Sequence, residues 1–305
     1  MKKLITVLLT ATLLIACSDY ATGTFDDATK AYNSGKYAQA IKLLKPLALK
    51  GDASAQFNLG IMYGKGQGVK QDYVEAVRWH KLAAVQGNAY AQSSLGIMYG
   101  KGQGVKQDYV EAVRWHKLAA AQGDAYAQNS LGVMYDNGQG VAQDYVEAAK
   151  WFKLAAAQGN ASAQYNLGTM YDEGIGVAQD YVEAVRWYKL AAAQGVAEAQ
   201  YNLGVKYGKG QGVAQDYVEA VRWYKLAAAQ GHADAQYNLG IMYGKGEGVT
   251  QDHVEAYMWF NLAAITGDKD AVKNRDLAVS KMTQQQIAEA QKLAKECLAR
   301  NYKGC

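Results

Sequence analysis

Few side chains in this sequence have the type and spacing that chemistry needs. The four histidines are His80, His116, His232 and His253. His80 and His116 stand 36 residues apart, and the same spacing then reaches Phe152, Tyr188, Tyr224 and Phe260. A position filled by imidazole and by other rings asks for a packed aromatic side chain. Two such histidines on stacked elements would also lie too far apart to share a metal, whose nitrogen ligands sit about 2 Å away. Asp72 and Glu75 form an acidic pair that recurs through to Asp252 and Glu255. A three-residue spacing ahead of an apolar run is that of a helix cap and its capping box, not of acid–base chemistry. The stretch GKGQGV from Gly64 looks like a phosphate loop only superficially, because it follows a helical pattern and lacks the GK[ST] ending. No serine lies in a GxSxG setting. We therefore expect no catalytic, cofactor-binding or metal-ligating residues, no cofactor and no enzyme.

The three cysteines are Cys17, Cys297 and Cys305. Cys17 closes the run MKKLITVLLTATLLIAC, which has two lysines and then an apolar stretch, as an export signal does. The ending LIAC reads as a lipoprotein cleavage site, with Cys17 as the lipid-attachment residue. The alternative is an ordinary signal peptide cleaved near Ala21. Ser18 follows the cysteine, which favours an outer-membrane address facing the periplasm. Nothing after residue 17 is apolar enough for long enough to span a bilayer, so any membrane contact is through the lipid alone. In an oxidising compartment Cys297 and Cys305 could bridge the tail to the last helix, or could stay apart on a mobile tail. A catalytic thiol is disfavoured, since no paired histidine is visible.

The elements that hold these residues come from one unit of 36 residues, first complete from Gly51 and restarting at Gly87, Gly123, Gly159, Gly195 and Gly231. Its first half places Ala55, Leu59, Met62 and Tyr63 on one helical face. Gly66 and Gly68, glycine in every copy, interrupt it, and Asp72 opens a second helix with Val77, Trp79 and Ala83 on its apolar side. Each unit is a helix–loop–helix hairpin too short to be stable alone, which gains a core by stacking on its neighbours. The six tryptophans occur once per unit, as inter-helix core. Small residues such as Gly60 and Ala76 would let the paired helices approach closely.

The pattern AQxxLGxMYxxGxGVxQDYxEAxxWxKLAAxQG resembles the Sel1-like repeat, a relative of the tetratricopeptide repeat with a longer glycine-rich loop. The resemblance implies an all-α fold: a right-handed α/α superhelical solenoid of stacked helix–loop–helix repeats, with a concave and a convex face. It also implies a protein-interaction or adaptor role in the bacterial envelope. Two alternatives follow from it. One is a periplasmic immunity protein neutralising a delivered toxin. The other is a β-lactam- or cell-wall-acting enzyme of the cysteine-rich branch, although the six units here contain no cysteine. The expected organisation is a signal peptide (1–16), a tether (17–24), a capping hairpin (25–50), six repeats (51–266) and closing helices with a tail (267–305). Pro46, the only proline, is expected to kink or interrupt the second helix of the cap. Thr283 and Gln286 are placed to cap the final helix.

Departures from the repeat mark a possible binding surface. The Met62 series runs Met98, Met134, Met170, then Lys206, then Met242. Lys206 could meet an acidic partner, or its stem could pack as methionine does. Asn58 recurs as Ser94, Ser130, Asn166, Asn202 and Asn238, while Gln56 stays glutamine throughout. These amides could face a partner or could bond the scaffold. A protein or peptide is expected along the first helices near Asn166, Asn202, Lys206 and Asn238. The net charge of +4, with no single basic stripe, excludes a nucleic-acid partner.

Overall fold

The computed structural model describes residues 24–305. Cys17 and the residues read as a leader lie outside the described residues. The protein is an all-α solenoid of stacked helix–loop–helix hairpins. A short hairpin of α1 (Phe25–Asn33) and α2 (Tyr37–Leu49) comes first. Six longer hairpins follow: α3 (Ala53–Lys65) with α4 (Tyr73–Val85), α5 (Ala89–Lys101) with α6 (Tyr109–Ala121), and α7 (Ala125–Asn137) with α8 (Tyr145–Ala157). Then come α9 (Ala161–Glu173) with α10 (Tyr181–Ala193), α11 (Ala197–Lys209) with α12 (Tyr217–Ala228), and α13 (Ala233–Lys245) with α14 (His253–Ala263). A single 3-10 turn leads to α15 (Lys269–Val279) and α16 (Gln284–Ala299). The chain divides into two compact units, one ending at Ala127 and the other running from Gln128 to Cys305.

Local chemistry sets each helix end. Asp52 caps α3 by accepting from the Ala55 amide at 2.7 Å, and Gly66 ends it in the left-handed region at φ 68°. Asp72 caps α4, its Oδ1 accepting from the amides of Val74 and Glu75. The reciprocal half of the expected capping box is not made. The Asp72 amide instead donates to the Tyr63 carbonyl at 2.9 Å, closing the loop onto the end of α3, and the Glu75 carboxylate pairs with Arg78 at 3.2 Å. The full reciprocal box is present at α16, between Thr283 and Gln286. Pro46 does not interrupt α2, which continues to Leu49. It lies near the end of the helix, where the lost amide removes one hydrogen bond and few turns remain to be disturbed.

In the first unit, α1 to α3 bury a cluster that includes Ile41, Leu44, Leu59 and Trp79 of α4. A second cluster joins α4, α5 and Trp115 of α6. In the second unit, Trp187 of α10 packs into the cluster built by α8 and α9. Each of these tryptophans therefore reaches back to the preceding hairpin, so stacking and core formation are one event. At the C-terminal end α16 closes the array, with Ala294 and Cys297 in the cluster formed by α12 to α14. Cys297 and Cys305 are disulfide-bonded, with Cα atoms 5.6 Å apart, and Tyr302 between them packs against the same cluster.

Two glycines show why the helices can approach so closely. A Cβ on Gly168 would lie 2.7 Å from the ring of Tyr188, so α9 and α10 meet with backbone directly against an aromatic face. Gly212, at φ +72°, sits against the start of α10 in the hairpin before, where a Cβ would lie 2.1 Å from the Tyr181 carbonyl oxygen. Gly195 has a similar φ of +88° but open space around it. The pair separates backbone strain from contact. Gly195→Ala should cost about 1 kcal/mol, from the left-handed conformation alone. Gly212→Ala should cost roughly 2 kcal/mol more, because two hairpins must move apart. Urea unfolding of both variants measures the difference, and equal midpoints would contradict the close-contact role.

Candidate functional site

The invariant glutamines belong to the scaffold. Gln56 donates to the Ala48 carbonyl at 2.9 Å and accepts from the Gln86 amide at 2.7 Å. Gln92, Gln164 and Gln200 repeat both bonds with their own neighbours. A buried amide bonded on both sides ties the end of one hairpin to the start of the next, and has little left to offer a ligand.

The variable residues of the first helices behave differently. In the second unit, Asn166, Asn202 and Asn238 are half-buried, each next to a tyrosine: Tyr165, Tyr201 and Tyr237. Their amides are linked sparsely. Asn166 donates to Asn129 at 3.4 Å, while Asn202 lies beside the Tyr188 hydroxyl and Asn238 beside those of Tyr201 and Tyr224. The Tyr237 hydroxyl accepts from Asn274 at 2.9 Å. Rings support this layer from below, with Tyr165 against Tyr188 and Tyr201 against Tyr224, centroids 6.0 Å apart in each pair. His232, unremarkable in sequence, caps α13 and stacks on Tyr201 at 4.6 Å. Burial raises the pKa of the Tyr188, Tyr201 and Tyr224 hydroxyls, so they stay neutral donors.

Lys206 is buried between successive hairpins. It is 5% exposed, and its ammonium pairs with Asp172 of the preceding hairpin. It also donates to Gln211 Oε1 at 3.1 Å and lies 4.6 Å from the centre of the Tyr181 ring. The Tyr188 hydroxyl donates to the other oxygen of Asp172 at 3.4 Å. The lysine is used inside the chain, and an acidic partner would have to displace Asp172 to reach it.

One repeat earlier the same place is open. A groove of about 460 Å³ is lined by Asp136, Tyr145, Tyr165, Asn166, Thr169 and Glu173, among others. Burial raises the pKa of the Asp136 carboxyl.

His80 and His116 lie in the first unit and are buried, with the Nδ1 of each unbonded. Gly60 and Gly96 press against their rings. Burial lowers both pKa values to about 4, so at neutral pH each is an uncharged packed ring. Among the described residues, no group of three His, Cys, Asp or Glu side chains could hold a metal ion. No described helix is long and apolar enough to cross a membrane.

Stacked hairpins with a polar, aromatic first-helix layer define a helical-repeat scaffold. The Sel1 repeat model matches six consecutive segments, 53–88, 89–124, 125–160, 161–196, 197–232 and 233–268, and the chain belongs to the Sel1-repeat family. It is similar to the crystal structure of a Sel1 repeat protein from Oxalobacter formigenes, with 34% identity and a TM-score of 0.70 over 78% of this chain and 96% of that one. It also aligns with c5321, a protective antigen of uropathogenic Escherichia coli strains displaying an SLR fold (28% identity, TM-score 0.48, 91% and 86% coverage). A weaker likeness is to the immunity protein Pa5087 of Pseudomonas aeruginosa (21% identity, TM-score 0.42, 70% and 81% coverage). No curated protein matches the sequence.

Two outcomes follow. Asp172→Asn leaves the buried Lys206 ammonium without an anion, and should cost about 2–4 kcal/mol. Adding Lys206→Met, the residue of the other five repeats, should return stability to within about 1.5 kcal/mol of the parent. Denaturant unfolding of the single and double variants reads the coupling, and additive losses would dissolve the pair.

The histidines give a pH dependence. Their folded pKa values lie below the unfolded value of 6.5, so the unfolded chain binds more protons. Stability should therefore fall as pH drops from about 6.5 to about 4, by roughly 3 kcal/mol per histidine at the lower limit. His80→Phe with His116→Phe, which copies Phe152, should flatten that part of the profile. A profile unchanged by the double substitution would remove the histidines as its cause.

Proposed function

We propose that this protein is a non-enzymatic envelope scaffold that binds a protein or peptide along the first-helix layer of its second unit. The carrying observation is the contrast between two sets of amides. The glutamines at the Gln56 position are invariant and buried, and Gln56, Gln92, Gln164 and Gln200 are bonded on both sides. Asn166, Asn202 and Asn238 are half-buried and sparsely bonded, in helices whose surface residues vary between repeats. An asparagine amide has two donors and two acceptor sites, so the internal bonds leave capacity for a partner backbone. The adjoining tyrosines add rigid amphipathic area, which is enriched at interfaces. Lys206, spent on Asp172, is not part of this surface.

The envelope address is part of the same proposal. It rests on the leader-like run before Cys17, which would carry the lipid and hold the protein at the outer membrane facing the periplasm. The Cys297–Cys305 bridge fits an oxidising compartment.

Cross-linking in cells followed by mass spectrometry should recover one dominant partner. Asn202→Ala with Tyr201→Ala should weaken that partner at least tenfold, about 1.4 kcal/mol, without loss of helix signal. Loss of binding only on substitution of the outward second-helix residues, such as Val182 and Leu190, would place the interface elsewhere.

A further inference from the structure

The second unit contains the same site twice, once filled and once open. In the filled copy Lys206 is the occupant. Its ammonium is held by Asp172, by Gln211 Oε1 and by the face of Tyr181. Each of these residues has a counterpart 36 positions earlier: Met170 for Lys206, Asp136 for Asp172, Ile175 for Gln211, and Tyr145 for Tyr181. All four counterparts line the 460 Å³ groove. The aspartate is not a general feature of the repeat, since the same position is Gly64, Gly100, Gly208 and Gly244 in the other four. Asp136 and Asp172 are thus the two exceptions, in consecutive hairpins. Only Asp172 has a lysine supplied by its own chain. Phe152 replaces Tyr188, so the hydroxyl that serves Asp172 is missing at Asp136 as well. The groove instead gains a second acid, Glu173, together with Thr169 and Asn166 at its rim.

We propose that this groove receives a lysine side chain from the protein partner, with Asp136 and Tyr145 holding its ammonium as Asp172 and Tyr181 hold Lys206. This rests on the reading of the first-helix layer as the interface, and names what one part of that interface recognises. The chemistry is already demonstrated inside the chain. A carboxylate and an aromatic face, joined by a hydrogen-bond acceptor, accommodate an ammonium at almost full burial. Met170 and Ile175 leave apolar walls that suit the methylene stem of a lysine. Two acids with no opposing charge in the groove supply the complementarity that selects a cation. Raised by burial, the Asp136 carboxyl gains more from an incoming ammonium than a solvated acid would.

The test uses two small probes and one internal plug. Nα-acetyl-lysine methylamide and its norleucine analogue, which has the stem without the charge, are titrated into the ¹⁵N-labelled protein. The lysine probe should shift amides around Asn166 and Ile175, saturating in roughly the millimolar range expected of so small a ligand. The norleucine probe should bind at least tenfold more weakly. Asp136→Asn should abolish the difference. Met170→Lys should fill the groove from within and block the probe. Its own pairing is read by the Asp136 carboxyl ¹³C titration, which should move to lower pH than in the parent. Should Met170→Lys fail to fold, Asp136→Asn, which preserves shape, still decides. Equal binding of both probes, or lysine binding unaffected by Asp136→Asn, overturns the proposal. If the cellular partner binds the Asn202 face while Asp136→Asn leaves its affinity unchanged, the lysine site falls and the interface stands.

Discussion

Close approach of glycine backbone to its neighbours is the constraint on which the rest of this structure depends. Gly212 rests on the Tyr181 carbonyl of the hairpin before it, and Gly168 rests on the ring of its own partner helix. Neither contact has room for a methyl group. Adding the left-handed φ at Gly212 leaves glycine as the residue that satisfies both demands. At Gly212 the spacing of hairpins is therefore set by hard backbone contact. Short helices that are unstable alone then share a core because their distance is fixed. The tryptophans and the buried glutamines work within that distance, Trp187 by filling the preceding layer and Gln56 by bridging successive hairpins.

This division of labour explains where variation is tolerated. The loop and the second helix carry the Gly212 contact, the Asp72 cap and the ring beneath the first helix. A change in any of them disturbs the hairpin, and at Gly212 the hairpin before it as well. Residues such as Tyr165 and Asn166 stand on the first helix above that ring, half-buried and touching few obligatory partners. They can change from repeat to repeat without altering the spacing, so recognition can be built there at small cost to stability.

The period, the caps and the contact glycines were legible in the sequence because each is local or exactly repeated in register. Thr283 with Gln286 also reads correctly, since a capping box is complete within four residues. Asp72 with Glu75 has the same spacing and a different outcome. The Asp72 amide is claimed by Tyr63, nine residues back across the loop, which no local spacing reveals. For a related reason Pro46 does not interrupt α2, as its effect depends on how much helix remains beyond it. Lys206 is the clearest case. As a lone charge in a methionine series it looks like a surface feature. Its meaning depends on Asp172, a departure from glycine 34 residues earlier, and only the stacking of hairpins brings the two exceptions together. The alternatives left open for Gln56 and Asn58 divide in the same way, the glutamine tied to carbonyls of the preceding hairpin and the asparagine positions less bound.

A repeat protein offers an unusual internal control, because the same backbone environment is sampled several times with different side chains. An isolated half-buried carboxylate such as Asp136 is ordinarily hard to interpret, since partial solvation can make it harmless. Here the next hairpin shows what that position does when a cation is within reach. The pairing at Asp172 brings an ammonium to almost complete burial, a state that is unfavourable unless the charge is compensated and its donors satisfied. Asp172, Gln211, and the Tyr181 face meet that requirement together. Glycine at the same position in four repeats means that the scaffold does not need the acid. A charge that the fold does not require, placed beside an aromatic face in a groove wide enough for a side chain, is better explained by what enters the groove than by what the groove supports. Met170 leaves that entry open, and one hairpin further on Lys206 fills the equivalent site.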